Sequence, residues 1–403
     1  MTGGTDSGNR SRDGYRWVML ALLLALYTGF GLISASIFPL VTPILADLGL
    51  SNARMGFILG SWQLTYILAA LIAGPLLDRW GVRGALTAGA VIIGLSAILR
   101  GLAGGFGSML AAVALFGLGG PMISIGGPKA ISEWFDGPGR GTAVGVYMMG
   151  PRIGALLALA LTNSMVMPLT GHSWRAACVF YGLLALGAAL LWRLLARTPE
   201  AGPSSRSTGP FEVFRALLRV RELRLLLVMA LLAFGISHGF GSWLPRMLEV
   251  RGLSPAHAGL AASVSMAAGL PAILLLPRLV PAARRARCLG GCALLGAASL
   301  AWIEASGDWT VIIPLALLGA ASTLFMPFMI LILMDNPEIG ARYMGSAGGI
   351  FFCVAEIGGF TGPWIMGLLA DLSGAFTAGS VFLAGLCLAI FGLSVPLGRG
   401  ART

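Results

Sequence analysis

The sequence predicts an all-α membrane protein of twelve transmembrane helices in two pseudo-symmetric six-helix bundles. Three observations carry this. The 403 residues are 57% hydrophobic and 11% charged, with mean hydropathy +0.87, whereas soluble chains are about 25% charged. Apolar stretches long enough to cross the hydrocarbon core, about 20 residues each, recur along the chain. One local pattern occurs twice, as Gly145-x6-Arg152-x-Gly154 and as Gly349-x6-Glu356-x-Gly358.

The apolar stretches place spans at 17–43, 54–77, 84–103, 107–134, 140–165, 175–196, 224–247, 256–278, 287–305, 309–334, 343–369 and 377–397. Stretches beyond about 25 residues imply tilt or helix outside the bilayer. The longest connection, 197–223, opens as a Pro/Gly/Ser linker. In Phe211–Leu223 apolar residues at helical spacing oppose arginines, the pattern of a short amphipathic helix on the membrane surface. The expected organisation is therefore a first bundle over 1–197, a linker over 198–223 and a second bundle over 224–403. The two copies of the repeat fall in spans 5 and 11, equivalent places in the two halves. That is the signature of a duplicated transporter with its site near the midplane.

Arginine and lysine concentrate on the cytoplasmic side of membrane proteins. With both termini inside, twenty arginines face inward and five face outward, namely Arg54, Arg100, Arg175, Arg246 and Arg251. Arg152 and Lys129, the sole lysine, lie within spans. The net charge of +11 thus reflects topology, and no nucleic-acid partner is expected. The polar first fifteen residues lack a cleavage-type site before span 1, so no cleaved signal peptide is read. The five cysteines lie in apolar spans without disulfide or metal spacing. There is no P-loop, no H-E-x-x-H, no Ser/His/Asp set and no haem-type cysteine motif. Neither an enzyme nor a cofactor is expected, and ATP is excluded as a direct energy source. A ligand sensor without transport is disfavoured by the lack of a soluble output domain.

The loop between spans 2 and 3 reads Gly74-Pro-Leu-Leu-Asp78-Arg79-Trp-Gly81-Val-Arg83-Gly84. It closely resembles the G-x-L-x-D-R-x-G-R-R/K motif of the major facilitator superfamily, in the expected loop of a chain with a central linker. The resemblance implies two bundles rocking around a central site, lined by helices 1, 2, 4, 5, 7, 8, 10 and 11. It implies gating roles for Gly74, Asp78, Arg79, Gly81 and Arg83, with Arg140 the candidate partner of Asp78. A multi-pass protein of the bacterial inner membrane is expected, with the termini cytoplasmic from the arginine count and a monomer expected because one chain contains both halves of a pathway. The matching loop of the second half, from Pro277 to Arg285, has lost the Asp and the glycines. Gly145 and Gly150-Pro151-x-x-Gly154 partly resemble the helix 5 motif of antiporters in this superfamily. Close helix packing with a proline kink explains the same residues.

A charge at the bilayer centre costs about 2.5–3.5 kcal/mol on insertion scales and normally faces a bundle interior or wet cavity. Arg152 lies about 18 Å into its span at 1.5 Å per residue. A guanidinium fork suits a carboxylate, so Arg152 is the expected anion ligand, with Glu356 as counter-charge and proton acceptor. A purely structural Arg–Glu bridge is the competing reading. Lys129 could pair with Glu133 one turn away or serve the site. His238 is a candidate proton relay. Tyr27, Gln63, Tyr66, Ser124 and Tyr147 are the remaining polar-tipped residues on cavity-type helices.

The expected function is secondary active transport of a small organic anion, carboxylate-like, coupled to protons or to a counter-anion. Segment Gly241–Gly259 loosely resembles cyanate/nitroimidazole-type permeases, and monocarboxylate-type carriers are close competitors. Nitrate porters fit poorly, because 57–77 and 256–277 contain no arginine. The alternative is a proton-driven multidrug efflux antiporter using Glu356 and a wide apolar cavity.

Overall fold

The computed structural model describes residues 5–135, 138–197, 217, 219–336 and 339–400. Most of the expected amphipathic stretch Phe211–Leu223 falls outside them. Among the described residues the secondary structure is helical, with no strand. Among these residues eleven helices are long and apolar enough to cross a membrane. The helix Asn52–Gly101 is 50 residues long, twice what one crossing needs. It breaks at Gly81, whose φ of 68° and ψ of 168° lie in a region essentially confined to glycine. The break leaves 52–80 and 82–101, each sufficient for a crossing. The expected spans 2 and 3 are thus joined without a loop, and Gly81 of the signature supplies the break.

With that division the helices are α1 (Gly14–Leu48), α2 (52–80), α3 (82–101), α4 (Phe106–Trp134), α5 (Gly139–Leu169), α6 (Trp174–Leu195), α7 (Arg221–Val250), α8 (Pro255–Leu279), α9 (Ala282–Ala305), α10 (Trp309–Asp335), α11 (Ser346–Ser373) and α12 (Thr377–Gly398). They match the twelve apolar stretches of the sequence one for one.

The chain packs into two compact units. Unit 1 comprises Met1–Ile37, Thr65–Ala158 and Val166–Ser205. Unit 2 comprises Phe38–Leu64, Leu159–Met165 and Arg206–Thr403. Unit 2 thus contains the end of α1, the first part of α2 and about two turns of α5, in addition to the second half of the chain.

The repeated glycines have the same packing task in each unit. In unit 1 a Cβ on Gly154 would stand 2.0 Å from the Thr28 carbonyl oxygen of α1. In unit 2 a Cβ on Gly358 would stand 1.9 Å from the Leu231 carbonyl oxygen of α7. Gly31 and Gly150 add to the first contact, and Gly235 and Gly362 to the second. Small residues let membrane helices approach backbone to backbone, so α5 lies on α1 as α11 lies on α7. Gly145, by contrast, has nothing within 4 Å of such a Cβ. The partial antiporter-like motif therefore has a packing explanation at Gly150 and Gly154 but not at Gly145.

Arg100 corrects the topological count. The positive-inside pattern assigns it to a water-facing side, yet it is 2% exposed. Its Nη1 donates to the Ile33 carbonyl at 2.9 Å and its guanidinium lies over Phe116, 5.6 Å from the ring centroid. The buried charge is held by a carbonyl dipole and an aromatic face.

Candidate functional site

In unit 1 the helix that carries Arg152 is broken. Pro151 has no N–H, so the ladder bond that residue 151 would donate to the Tyr147 carbonyl is missing. The helix Pro138–Met148 accordingly stops and Gly150–Leu161 starts. Arg152 is the third residue of the second segment and is half-buried. Just over one turn before it, Tyr147 is buried and stacks edge-on against Tyr27 of α1, with ring centroids 4.9 Å apart. The Tyr27 hydroxyl donates to the Ile123 carbonyl of α4 at 2.8 Å. Tyr27 is therefore a strut between α1 and α4. Tyr66 is half-buried and lies against Gly120, where a Cβ would come within 2.7 Å of its ring. Ser124 turns its hydroxyl back to the Gly120 carbonyl, 3.1 Å away.

In unit 2 three of the expected residues come together. Gln63 of α2 is 1% exposed and Glu356 of α11 is 7% exposed. The Gln63 amide nitrogen donates to the Gly359 carbonyl at 3.2 Å and lies 3.3 Å from His238 Nδ1 of α7. A Cβ on Gly359 would meet both Gln63 Nε2, at 3.2 Å, and Glu356 Oε2, at 3.3 Å. Gly359 thus opens the space that Gln63 and Glu356 share. His238 is further fixed by Trp62 and Phe234, whose ring centroids lie 5.8 and 5.4 Å away. Gln63 Oε1 and Glu356 Oε2 make no hydrogen bond to any described residue. Buried polar atoms normally do, so this cluster carries hydrogen-bonding capacity that the described residues do not use.

The loop signature is rearranged from expectation. Asp78 pairs with Lys129 Nζ at 2.6 Å, not with Arg140, which is exposed. Lys129 is thereby tied to Asp78 of the signature, while Glu133, one turn on, also lies within reach of its charge. Arg83 donates from Nε to the Arg193 carbonyl at 3.1 Å, at the last turn of α6. A cation there suits the free carbonyls and negative end of a helix. Arg79 is exposed, and Gly74 has open space around a notional Cβ.

One cluster in unit 2 had no signal in the sequence. Asp371, at the end of α11, accepts hydrogen bonds at the start of α2 from Asn52 N (3.0 Å), Asn52 Nδ2 (2.8 Å) and Ala53 N (2.7 Å). A carboxylate from another helix thus caps α2. Arg246 of α7 adds bonds to Asn52 Oδ1 at 3.3 Å and Thr42 Oγ1 at 3.1 Å, and Thr42 bonds Glu249. Asp371→Ala should weaken this clasp by about 0.5–1 kcal/mol, the lower part of the usual cost of losing a cap. Met55 is 0% exposed just inside it. Labelling of a cysteine at Met55 by a water-soluble maleimide should rise in the Asp371→Ala background. Unchanged labelling would mean the clasp does not control access there.

Comparison with known proteins decides the family. The Major Facilitator Superfamily model matches residues 18–363. The chain belongs to the Major Facilitator Superfamily. It is thus a member of a transporter family and not an enzyme. Solved superfamily structures share its fold. The nucleoside transporter NupG superposes with a TM-score of 0.73 at 14% identity, over 94% of this chain and 98% of that one. A bacterial homologue of the human lysosomal transporter Spinster gives 0.72 at 17% identity, over 96% of each chain. Among curated relatives, the hexuronate transporter of Bacillus subtilis is 26% identical over 92% of each chain. The hexuronate transporter of Escherichia coli K12 is 29% identical over 47% of this chain and 44% of its own length. The galacturonate transporter of Dickeya chrysanthemi is 29% identical over 46% and 53%. These last two matches span only about half the length of the relatives concerned.

Proposed function

We propose that this superfamily member is a secondary active transporter of small organic anions of the sugar-acid kind, working by alternating access. The observation that carries the reading is one ionisable residue at each copy of the repeat, two residues before the glycine that packs onto the first helix of its half. Arg152 supplies the cation and Glu356 the acid. Charges at such depth mark substrate and ion pathways. Broken helices in transporters aim the positive end of a half-helix at an anionic group, and Arg152 sits in the first turn of such a segment. Gln63 and His238 offer the hydrogen bonds a polyhydroxylated acid would need. The named relatives carry hexuronates and galacturonate, which are acids of this type, and they move the reading away from the looser likeness to cyanate/nitroimidazole-type permeases. Glu356 takes up and releases the coupling proton. Both termini lie inside, which puts Asp78 and Lys129 at the inner face and the Asp371 clasp at the outer one.

The test is ligand-induced thermal stabilisation of the purified protein. Galacturonate, glucuronate and simple dicarboxylates are compared with neutral sugars and lipophilic cations. A ligand at about 100 times its dissociation constant adds about 2.7 kcal/mol, so a sugar acid should raise the midpoint and its neutral sugar should not. Stabilisation by lipophilic cations alone would favour drug efflux instead.

A further inference from the structure

We propose that the junction of α8 and α9 holds the headgroup of an anionic phospholipid. The α8 helix ends at Leu279 and α9 begins at Ala282, with only Val280 and Pro281 between them. This turn borders a cavity of about 350 Å³ lined by Leu279, Val280, Pro281, Arg284, Arg287 and Cys288.

Three arginines occupy the first two turns of α9, and they are used differently. Arg285 is ion-paired with Asp335 of α10. Arg284 and Arg287, one helical turn apart on the cavity side, are exposed and have no carboxylate partner among the described residues. The structural need for a cation on this helix is met by Arg285, which leaves two guanidiniums converging on one cavity.

The wall beside them is apolar. Leu279 is 71% exposed and Leu275, one turn earlier, is 58% exposed. Both lie on the last turns of a membrane-crossing helix. A phosphodiester on the two arginines would leave its acyl chains running down this leucine face. That charge and shape complementarity selects a lipid over a soluble anion, which has no use for the leucines. Basic pockets between membrane helices are recognised sites for anionic headgroups, and the guanidinium fork matches phosphate oxygens.

The experiment is native mass spectrometry of the full chain in detergent with phosphatidylglycerol, phosphatidylcholine or inorganic phosphate added. Phosphatidylglycerol should be retained in preference to phosphatidylcholine. The pair Arg284→Gln/Arg287→Gln should weaken that retention about thirtyfold, about fivefold for each arginine near an anionic surface. The pair Arg140→Gln/Arg193→Gln, which removes two charges from the start of α5 and the end of α6, should leave retention unchanged. Equal retention of the two lipids, an equal loss in the control pair, or displacement of the lipid by millimolar phosphate would overturn the proposal. If the glutamine pair fails to fold, Arg284→Lys/Arg287→Lys keeps the charge but loses the fork, and should show a reduced preference for phosphatidylglycerol that still exceeds none. Equal retention of both lipids in that folded variant would equally sink the idea.

Discussion

Arg152→Ala is expected to abolish uptake of the anion while leaving the protein folded in the membrane. Truncating one partner of a desolvated charge pair costs about 2–5 kcal/mol, or roughly 30- to 4000-fold in affinity. Arg152 is the third residue after the break in α5, and the close backbone approach of α5 to α1 there is made at Gly150 and Gly154. The fold should therefore tolerate its loss. Arg152→Lys should fall between wild type and alanine, because it keeps the charge but loses the planar fork. Two measurements check this together, namely uptake of labelled sugar acid into proteoliposomes and the thermal midpoint without ligand. Transport at normal affinity in the alanine variant would remove the anion site from Arg152. A collapsed midpoint would reassign the residue to structure.

The second large effect is expected at Glu356. Glutamine keeps the volume and the hydrogen-bonding reach beside Gln63 and Gly359 but cannot gain and lose a proton. Glu356→Gln should therefore abolish accumulation driven by a pH gradient and spare downhill exchange of the anion. Proteoliposomes with an imposed gradient separate the two modes. Accumulation that persists would place the coupling proton elsewhere, with His238 the next residue to replace. Loss of exchange as well as accumulation would assign Glu356 to the binding of the anion itself.

Much of this architecture was legible because membrane chemistry writes itself into sequence. Crossing hydrocarbon requires about 20 apolar residues per helix, so the spans could be read from length alone. Arg152 and Glu356 stood out because a charge inside such a span has to have a reason. The repeat was visible because close helix approach demands glycine at fixed spacing, at Gly154 and again at Gly358.

The pairings were not legible, because they join residues far apart in the chain. Asp78 and Lys129 are 51 positions apart, and Gln63 and His238 are 175 apart. Arg140 looked the better partner for Asp78 because it lies on a neighbouring loop, but the sequence does not state where side chains end. Arg100 looked like one more topological arginine until packing buried it on Ile33 and Phe116. Asp371 looked like an ordinary acid at a helix end, and only the meeting of α11 with the start of α2 makes it a cap. The sequence by itself determined the helices, their number and the two charges that need explaining. The tertiary structure decided which polar groups meet, because helix ends and rotations are set by backbone contacts between glycine faces, and hydropathy carries no record of those.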